Sequence, residues 1–372
     1  MAESAPRRPH RTKRVTMTAI AREAGVSQPT VSLVLSGRAA EFRIQAETAR
    51  RVWATAQRLG YHLRSRKKRM RAAASTMLRG PALHTAPAAV GTIFIEYKSL
   101  AGDILYSPAL MGLSRAATGL VEVRQFGGMG IDGLEEFTRG NEALKGCGGL
   151  MVVTHREHPA ERLAPLDKLG IPWVLMNRDP KHLRAPRVLM DTYGMAYGLM
   201  EDLLRKGHRR IAVLGTDRTI PSAVGQRQGY REALTAAGCY DPALEFLNLG
   251  SGNDAECKES VQLILARHPD VTALYSFFDL GAQGFYEGAR AAGRRIPEDL
   301  SIVANGGQPV SQRVHPPLTT MRYPILEMGE AAFRLLERMW RGDPVPERTS
   351  LPGELLAGGS TAPAPQSAPA NA

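Results

Sequence analysis

The chain has 372 residues, 43% of them hydrophobic, and a formal net charge of +12 at pH 7. This length predicts two or three compact units with a substantial core. No run of about 18 apolar residues occurs, so no membrane-spanning helix is expected. The basic start of the chain lacks the apolar stretch of a secretory signal. We therefore expect a cytoplasmic, nucleoid-associated protein, and its charge favours a polyanionic partner.

The positive charge is concentrated on the two sides of one short segment. Basic residues precede this segment within the tail at 1–14 and follow it at 64–71. Two solvated, disordered tails would account for the charge. Phosphate-binding arms account for it better, because the segment between them has the pattern of a DNA-reading helix-turn-helix.

The segment at 15–61 predicts three short helices. Thr16 can N-cap a first helix at about 17–24, Gly25 suits a left-handed turn, and Ser27 can N-cap a second helix. A third helix is expected at about 46–59. The predicted small core consists of Ile20, Ala24, Val31, Val34, Leu35, Val52, Ala56 and Leu59.

The N-terminal part of the second helix is the predicted DNA-reading surface, because this end of a helix-turn-helix enters the major groove. Its outward residues are Gln28, Pro29, Ser32 and Leu33. Gln28 can pair with an adenine edge, and Pro29 or Leu33 can touch a thymine methyl group. A plain three-helix bundle that makes protein contacts is the alternative.

Short apolar runs alternate with amphipathic stretches beyond a linker at 62–89, as in GTIFIEY, GGLMVVT and RRIAVLG. This alternation is typical of parallel sheets with helices on both faces, and it has too many units for one small sheet. The predicted fold class is α/β: a small all-α helix-turn-helix headpiece, then two doubly wound α/β subdomains over 90–361. The Ala/Pro-rich stretch at 362–372 is expected to be a disordered tail.

The headpiece resembles the N-terminal domain of the LacI/GalR family of bacterial repressors. IAREAGVS at 20–27, TVS at 30–32 and LGY at 59–61 carry the resemblance. It implies a homodimer on a palindromic, double-stranded operator, with Gln28, Pro29 and Leu33 at base-reading positions. The phosphate contacts that it implies are Thr16, Ser27, Thr30, Ser32 and Thr48.

The sequence departs from the family after Tyr61. Family members continue with Pro-Asn and a hinge helix that inserts a Leu into the minor groove, whereas this chain reads HLRSRKKRMRAAA. Met70 falls at the position of that Leu and can serve as an apolar wedge. The alternative is a purely electrostatic arm.

Most of 90–361 resembles the sensor of the same family, which is similar to periplasmic binding proteins. The matching motifs are GHRRIAVLG at 207–215, IPEDLSIV at 296–303, PPLTT at 316–320 and LPGELLAGGST at 351–361. The resemblance implies two lobes that hold a small molecule between them. By position the first lobe is at about 90–187 and 322–343, the second at about 188–321 and 344–361, with crossings near 187, 321 and 343.

Ligands of open α/β sheets bind beyond the carboxyl ends of the strands. The candidate effector-binding residues there are Tyr106, Ser107, Asn177, Arg227, Phe278, Asp279 and Asn305. Arg227 could bind hydroxyl pairs, a carboxylate or a phosphate, and a surface salt bridge is its alternative role. Phe278 can offer a stacking face. The acidic residues that the family has at 304–307 are missing. The effector could therefore be an unusual sugar, a sugar acid or something else, or the site could have lost its ligand.

The sequence gives little support for disulfides, metal sites, cofactors or catalysis. Three cysteines are far apart and without a CxxC pair, so neither a disulfide nor a zinc site is expected. His155 and His158 lack a third metal ligand, and His208 is expected to be structural. No cofactor is predicted, and the sequence contains no GxSxG, P-loop or HExxH motif. A DNA-binding transcription regulator is the main hypothesis; a binding module without a DNA role and an enzyme are the alternatives.

Overall fold

The computed structural model describes 17–35, 44–45, 47–48, 51–52, 55, 77–78, 89–96, 106–117, 121–139, 142–154, 156–248 and 252–365. Thr16, His155, Met70 and both basic arms lie outside these residues. The chain forms two units, Met1–Met70 and Arg71–Ala372.

The first unit contains the predicted helix-turn-helix. Helices α1 (Met17–Ala24) and α2 (Gln28–Leu35) are joined at Gly25, whose φ of +65° is the left-handed conformation that glycine adopts readily. The Thr30 amide donates to Ser27 Oγ at 3.2 Å, which confirms Ser27 as the N-cap of α2. Five predicted core residues are buried, namely Ile20, Ala24, Val31, Val34 and Val52.

The first lobe of the second unit is built on a six-stranded sheet. Its strands are β2 (Ala89–Ile95), β3 (Glu122–Met129), β4 (Cys147–Thr154), β5 (Trp173–Met176), β6 (Arg187–Met190) and β13 (Arg348–Leu351). The order is β13-β6-β5-β4-β2-β3, and every neighbouring pair is parallel. The helices are α3 (Tyr106–Ala117), α4 (Leu134–Thr138), α5 (Ala160–Leu163) and α10 (Ile325–Trp340).

The second lobe has its own six-stranded sheet. Its strands are β7 (Ile211–Leu214), β8 (Glu245–Phe246), β9 (Ala273–Ser276), β10 (Ser301–Gly306), β11 (Thr319–Arg322) and β14 (Glu354–Leu356). The order is β14-β11-β10-β9-β7-β8, and only the pair of β11 with β14 is antiparallel. The helices are α6 (Thr192–Arg205), α7 (Pro221–Ala236), α8 (Asp254–Arg267) and α9 (Ala282–Ala291).

Both sheets carry helices on both faces, as the alternating pattern predicted. In the first lobe, α3 and α10 cover one face, and the other face has a separate apolar cluster around Ile95 and Leu150. In the second lobe, α8 and α9 cover one face and α6 and α7 the other. Short 3-10 helices lie at Ile131–Gly133, Glu142–Leu144, Ala164–Leu169, Pro242–Leu244 and Pro309–Gln312.

A short strand lies within the stretch that the sequence assigned to the linker. Strand β1 (Met77–Leu78) pairs antiparallel with β12 (Val345–Pro346), and Leu78 packs against the core of the first lobe. This part of the predicted linker is therefore attached to the sensor unit.

The chain crosses between the lobes at three places, after β6 at 191, after β11 at 323–324 and after β13 at 352–353. The first two lie close to the expected positions. The third was expected near 343 and is displaced, because β13 pairs with β6 and so still belongs to the first lobe. That lobe thus contains 324–351 rather than 322–343.

The end of the sensor unit extends beyond its predicted limit at 361. The imidazole of His208 contacts the carbonyl of Ala362 at 3.0 Å, and the amide of Ala364 donates to the carbonyl of Lys206 at 2.8 Å. The expected disorder from 362 is therefore wrong for these first residues, because their backbone groups are hydrogen-bonded to the second lobe. Residues 366–372 lie outside the described part of the chain.

Candidate functional site

The first candidate site is the start of α2. Ser27 and Gln28 are exposed, while Thr30 is half-buried with its hydroxyl 2.8 Å from Ser27 Oγ. The predicted residues Pro29, Ser32 and Leu33 also belong to α2, and Thr48 is half-buried in the segment of the third predicted helix. The structure thus places the exposed Gln28 in the first turn of the helix, as the sequence predicted.

Sequence reasoning missed one side chain that holds the turn before α2. Arg51 Nε donates to the carbonyl of Ala24, the last residue of α1, at 3.0 Å. The final carbonyls of a helix have no partner within the helix, so this bond satisfies one of them. Arg51 thereby ties the third helical segment to the turn that positions Gln28.

The second candidate site is a pocket of about 180 Å³ at the first crossing between the lobes. The first lobe contributes the ends of β5, β6 and β13, and the second lobe contributes the starts of α6 and α7. The lining residues are Asn177, Leu189, Met190, Asp191, Thr192, Tyr193, Pro221, Ser222, Gly225 and Ser350. A molecule in this pocket would touch both lobes.

Asn177 is the predicted effector residue that lines this pocket. It directly follows β5, is 7% exposed, and has a φ of +54°, which is unusual for a residue other than glycine. Its amide donates to the carbonyl of Val188 at 2.8 Å, which fixes this backbone. Strained conformations that the fold enforces are frequent where proteins bind ligands.

The starts of α6 and α7 are fixed to each other beside the pocket. Asp191 Oδ1 accepts the amide of Gly194 at 2.8 Å and so caps α6. The Thr192 hydroxyl donates to the carbonyl of Ser222, in the first turn of α7, at 3.0 Å. The pocket consequently offers the hydroxyls of Ser222 and Ser350, and Asp191 is the one acidic or basic residue among the described residues that line it.

Arg227 reaches the loop that follows the carboxyl end of β7. It is half-buried on α7, and its nearest polar contact is a long one of 3.5 Å to the carbonyl of Asp217. The preceding residue, Gln226, is buried instead, and its Oε1 accepts from Asn305 at 2.6 Å and from the Tyr275 hydroxyl at 3.1 Å. One position along a helix turns a side chain by about 100°, which the sequence pattern alone did not resolve.

Asp279 and Asn305 lie beneath the surface of the cleft. Asp279 is 1% exposed, and its Oδ2 accepts from the amides of Gly307 and Gln308 at 2.7 and 2.9 Å and from the Thr320 hydroxyl at 3.2 Å. Burial raises the pKa of this carboxyl group, and these donors oppose the rise. Asn305 is fully buried and donates to Gln226 and Tyr275. Both residues shape the edge of the second lobe from inside.

The remaining predicted effector residues lie at other strand ends. Phe278 is half-buried after β9, with its ring edge-to-face with Phe277 at a centroid distance of 6.4 Å. Ser107 is exposed in the first turn of α3, which Tyr106 begins. None of these three residues lines the pocket at the first crossing.

A carboxylate–imidazole pair at the edge of the first lobe was missed by the sequence analysis. Glu96 Oε2 lies 3.0 Å from His158 Nε2, and the two side chains are 21% and 10% exposed. Glu96 directly follows β2 and has a φ of +65°. The signal was present, since Glu96 ends the run GTIFIE, but His158 was considered only as a metal ligand.

Other expectations concern residues outside both sites. His208 is fully buried between Thr272 and Ala362, at 3.0 Å from each, which confirms its structural role. Burial lowers the pKa of its imidazole. The described residues include no cluster of three or more metal-ligating side chains and no helix long and apolar enough to cross a membrane.

Comparisons with known proteins agree with the two-unit architecture. A model described as bacterial regulatory proteins, lacI family, matches residues 16–63, and a model of a periplasmic binding protein-like domain matches 200–361. The transcriptional regulator CelR of Thermobifida fusca is 29% identical over 333 residues, 88% of this chain and 92% of that protein. MalR of Streptomyces coelicolor is 29% identical over 360 residues, 93% of this chain and 96% of that protein.

Solved structures of transcription regulators have the same fold. A CelR–cellobiose complex superposes with a TM-score of 0.62 at 27% identity, covering 93% of this chain and 100% of that one. The lac repressor dimer bound to operator and the anti-inducer ONPF has a TM-score of 0.60 at 21% identity, over 94% of this chain and 100% of that one, a likeness of fold alone.

The fold and the headpiece together define a class of protein, a DNA-binding transcription regulator with a two-lobed sensor. Residues 16–63 match the lacI family of bacterial regulatory proteins, and the chain is similar over most of its length to transcription regulators. Its relatives are transcription regulators and not enzymes, which corresponds to the main hypothesis from the sequence.

Proposed function

We propose that this protein is a repressor that binds a palindromic operator as a homodimer, and that a small sugar-like molecule in the interlobe cleft modulates its grip on DNA. The pocket at the first crossing carries this proposal, because residues of both lobes line it. A molecule that contacts two lobes at once favours one arrangement of them over others. The protein acts in the cytoplasm, on the nucleoid.

The proposed effector class and assembly are supported by the relatives. One solved structure is of a CelR–cellobiose complex, and another is of the lac repressor dimer bound to operator. The polar groups of the pocket, an amide at Asn177 and hydroxyls at Ser222 and Ser350, suit a ligand rich in hydroxyl groups. Among the other predicted effector residues, Phe278, Ser107, Tyr106 and Arg227 remain candidates.

The DNA-binding roles follow from the headpiece. Gln28, Pro29 and Leu33 read base edges, and Thr16, Ser27, Thr30, Ser32 and Thr48 contact phosphates. Met70 wedges into the minor groove. The exposed position of Gln28 in the first turn of α2 supports this assignment, because this end of such a helix enters the major groove.

The test of the proposed function is a mobility-shift and footprinting experiment on the DNA immediately upstream of the gene. We expect a palindromic footprint and a dimer by light scattering. With about 6–10 phosphates contacted, moving from 50 to 200 mM salt should weaken binding by about 10³–10⁵. The absence of any sequence-selective complex would overturn the operator-binding proposal.

Replacing Gln28 by Ala tests the base-reading role. We expect a loss of about 1–3 kcal/mol in operator binding, because a bidentate amide–adenine contact is removed. Binding to unrelated DNA serves as the control within the same variant, since phosphate contacts dominate it. Equal losses on both DNAs would contradict direct readout by Gln28.

A further inference from the structure

Three adjacent strands of the first lobe end in polar side chains at one edge of the sheet. Strands β5, β4 and β2 are consecutive neighbours, and parallel strands end at the same edge. Asn177 directly follows β5, His158 lies in the loop after β4, and Glu96 directly follows β2. The line of side chains therefore starts at the pocket, with Asn177, and continues away from it through His158 to Glu96.

Two features fix this line of side chains. Glu96 and Asn177 both have left-handed backbone, with φ of +65° and +54°, although neither is glycine. The loop after β4 is bonded to the loop after β5, because Glu157 Oε1 accepts the amide of Asp179 at 3.2 Å. On this fixed backbone, Glu96 and His158 also hold each other at 3.0 Å, so they would lose little freedom on binding a ligand.

We propose that Glu96 and His158 are specificity-determining residues for the effector, and that they make the cleft select neutral, hydroxyl-rich molecules over acidic ones. This inference rests on the proposed effector role of the cleft. A carboxylate accepts hydrogen bonds from sugar hydroxyls, and an imidazole can donate or accept. The same carboxylate repels an anionic ligand.

The charges around the pocket agree with this selection. Asp191 is the one acidic or basic residue among the described residues of the pocket's lining, and it is acidic. Arg227, which could bind a sugar acid, is not among the residues that line this pocket. Of the two ligand classes that the sequence left open, the geometry therefore favours the neutral sugar.

The experiment is a calorimetric titration of the full chain with matched neutral and acidic probes: ribose, glucose and cellobiose, then gluconate and cellobionate. We expect the wild-type protein to bind at least one neutral sugar, and to bind the corresponding acid at least about tenfold more weakly. H158Q should weaken the neutral sugar about tenfold, as expected for one lost hydrogen bond. E96Q should reduce the ratio of the affinity for the neutral sugar to the affinity for the acid by about tenfold. Loss of fold stability would weaken both affinities and would not change this ratio.

The matched control is E122Q. Glu122 begins β3 at the opposite edge of the same sheet, where it pairs with Arg124 at 3.0 Å, so this substitution should leave both affinities unchanged. Thermal unfolding without ligand verifies that each variant is folded. If the wild-type protein preferred the acid, or if E96Q left the affinity ratio unchanged, the specificity role of Glu96 and His158 would be overturned. The proposal that the cleft binds an effector would not be affected. Binding of none of the five probes would overturn the sugar-like effector and this assignment together, but not operator binding.

Discussion

Arg187 joins several separate segments of the first lobe. It begins β6, is 1% exposed, and its Nε and Nη2 bind Asp179 and Glu347 at 2.8 and 2.6 Å. Its Nη1 donates to the carbonyls of Leu183 and Ala185 at 3.0 and 2.8 Å. A buried guanidinium is tolerated only when its donors are satisfied, as they are here.

Replacing Arg187 by Ala should lower the free energy of unfolding by about 3–5 kcal/mol, because Asp179 and Glu347 would keep their charges without the buried partner. Arg348→Ala is the matched control. Arg348 also binds Asp179, at 3.0 Å, but its side chain is 47% exposed, and such pairs contribute about 0–1 kcal/mol. Urea denaturation measures both losses, and similar values for the two variants would refute a special role for Arg187.

His208 gives the second lobe a pH dependence of defined sign. Burial lowers the pKa of its imidazole, so the unfolded chain binds a proton more readily than the folded one below about pH 6.5. The free energy of unfolding should therefore fall as the pH drops through this range, until it passes the folded pKa. Urea denaturation between about pH 5 and pH 8 should show a shallower decline for His208→Gln. Parallel curves for the two proteins would exclude this contribution.

At the scale of elements, apolar periodicity was sufficient for most of the fold. The runs TIFI, GGLMVVT and IAVL lie in β2, β4 and β7, since a strand buried on both faces reads as a continuous apolar stretch. Strand β13 was missed because RTSL alternates between exposed and half-buried positions at a sheet edge. This omission displaced the third predicted crossing.

The candidate site was less predictable than the fold, because the direction of each side chain determines which residues line the site. The sequence placed Asn177 at a strand end, and the structure shows it lining the pocket. It could not show that Gln226 is bonded to Asn305 and Tyr275 inside the lobe, nor that Asp279 accepts hydrogen bonds from the amides of Gly307 and Gln308. Such roles depend on contacts between segments far apart in the chain, for which sequence spacing has no signal.

Helices α3 and α10 approach each other through two glycines. A Cβ on Gly112 would lie 1.8 Å from the carbonyl oxygen of Leu326, and one on Gly329 would lie 1.9 Å from that of Ala109. Both obstacles are backbone atoms, so a side chain could be accommodated only if the helices moved apart. These contacts fix the distance between the two helices that cover one face of the first sheet.

Gly112→Ala should therefore destabilise the sensor by about 1–3 kcal/mol or more, even though alanine favours helices over glycine. Gly130→Ala provides the control, because no atom lies within 4 Å of a Cβ built there. The measurement is chemical denaturation of the full chain. If Gly112→Ala were as stable as Gly130→Ala, the close helix contact would not exist in solution.

At the scale of the whole sensor, the pocket and the chain crossings occupy the same region. Asp191 is the first crossing and lines the pocket, while Ser350 lines it two residues before the third crossing at 352–353. A bound molecule thus contacts segments whose backbone changes direction when the lobes move. Under the proposed function, occupancy of the pocket would therefore depend on the relative position of the lobes.

The coupling between effector and operator must be reciprocal if the proposed function holds. When an effector changes operator affinity by some factor, operator DNA must change effector affinity by the same factor, because both factors describe one thermodynamic cycle. We expect a factor of about 5–150 in each direction. The measurement is a pair of titrations, of operator at zero and saturating effector and of effector at zero and saturating operator. Unequal factors would mean that the molecule acts outside this cycle, and a factor of one in both directions would show that the cleft does not control the headpiece.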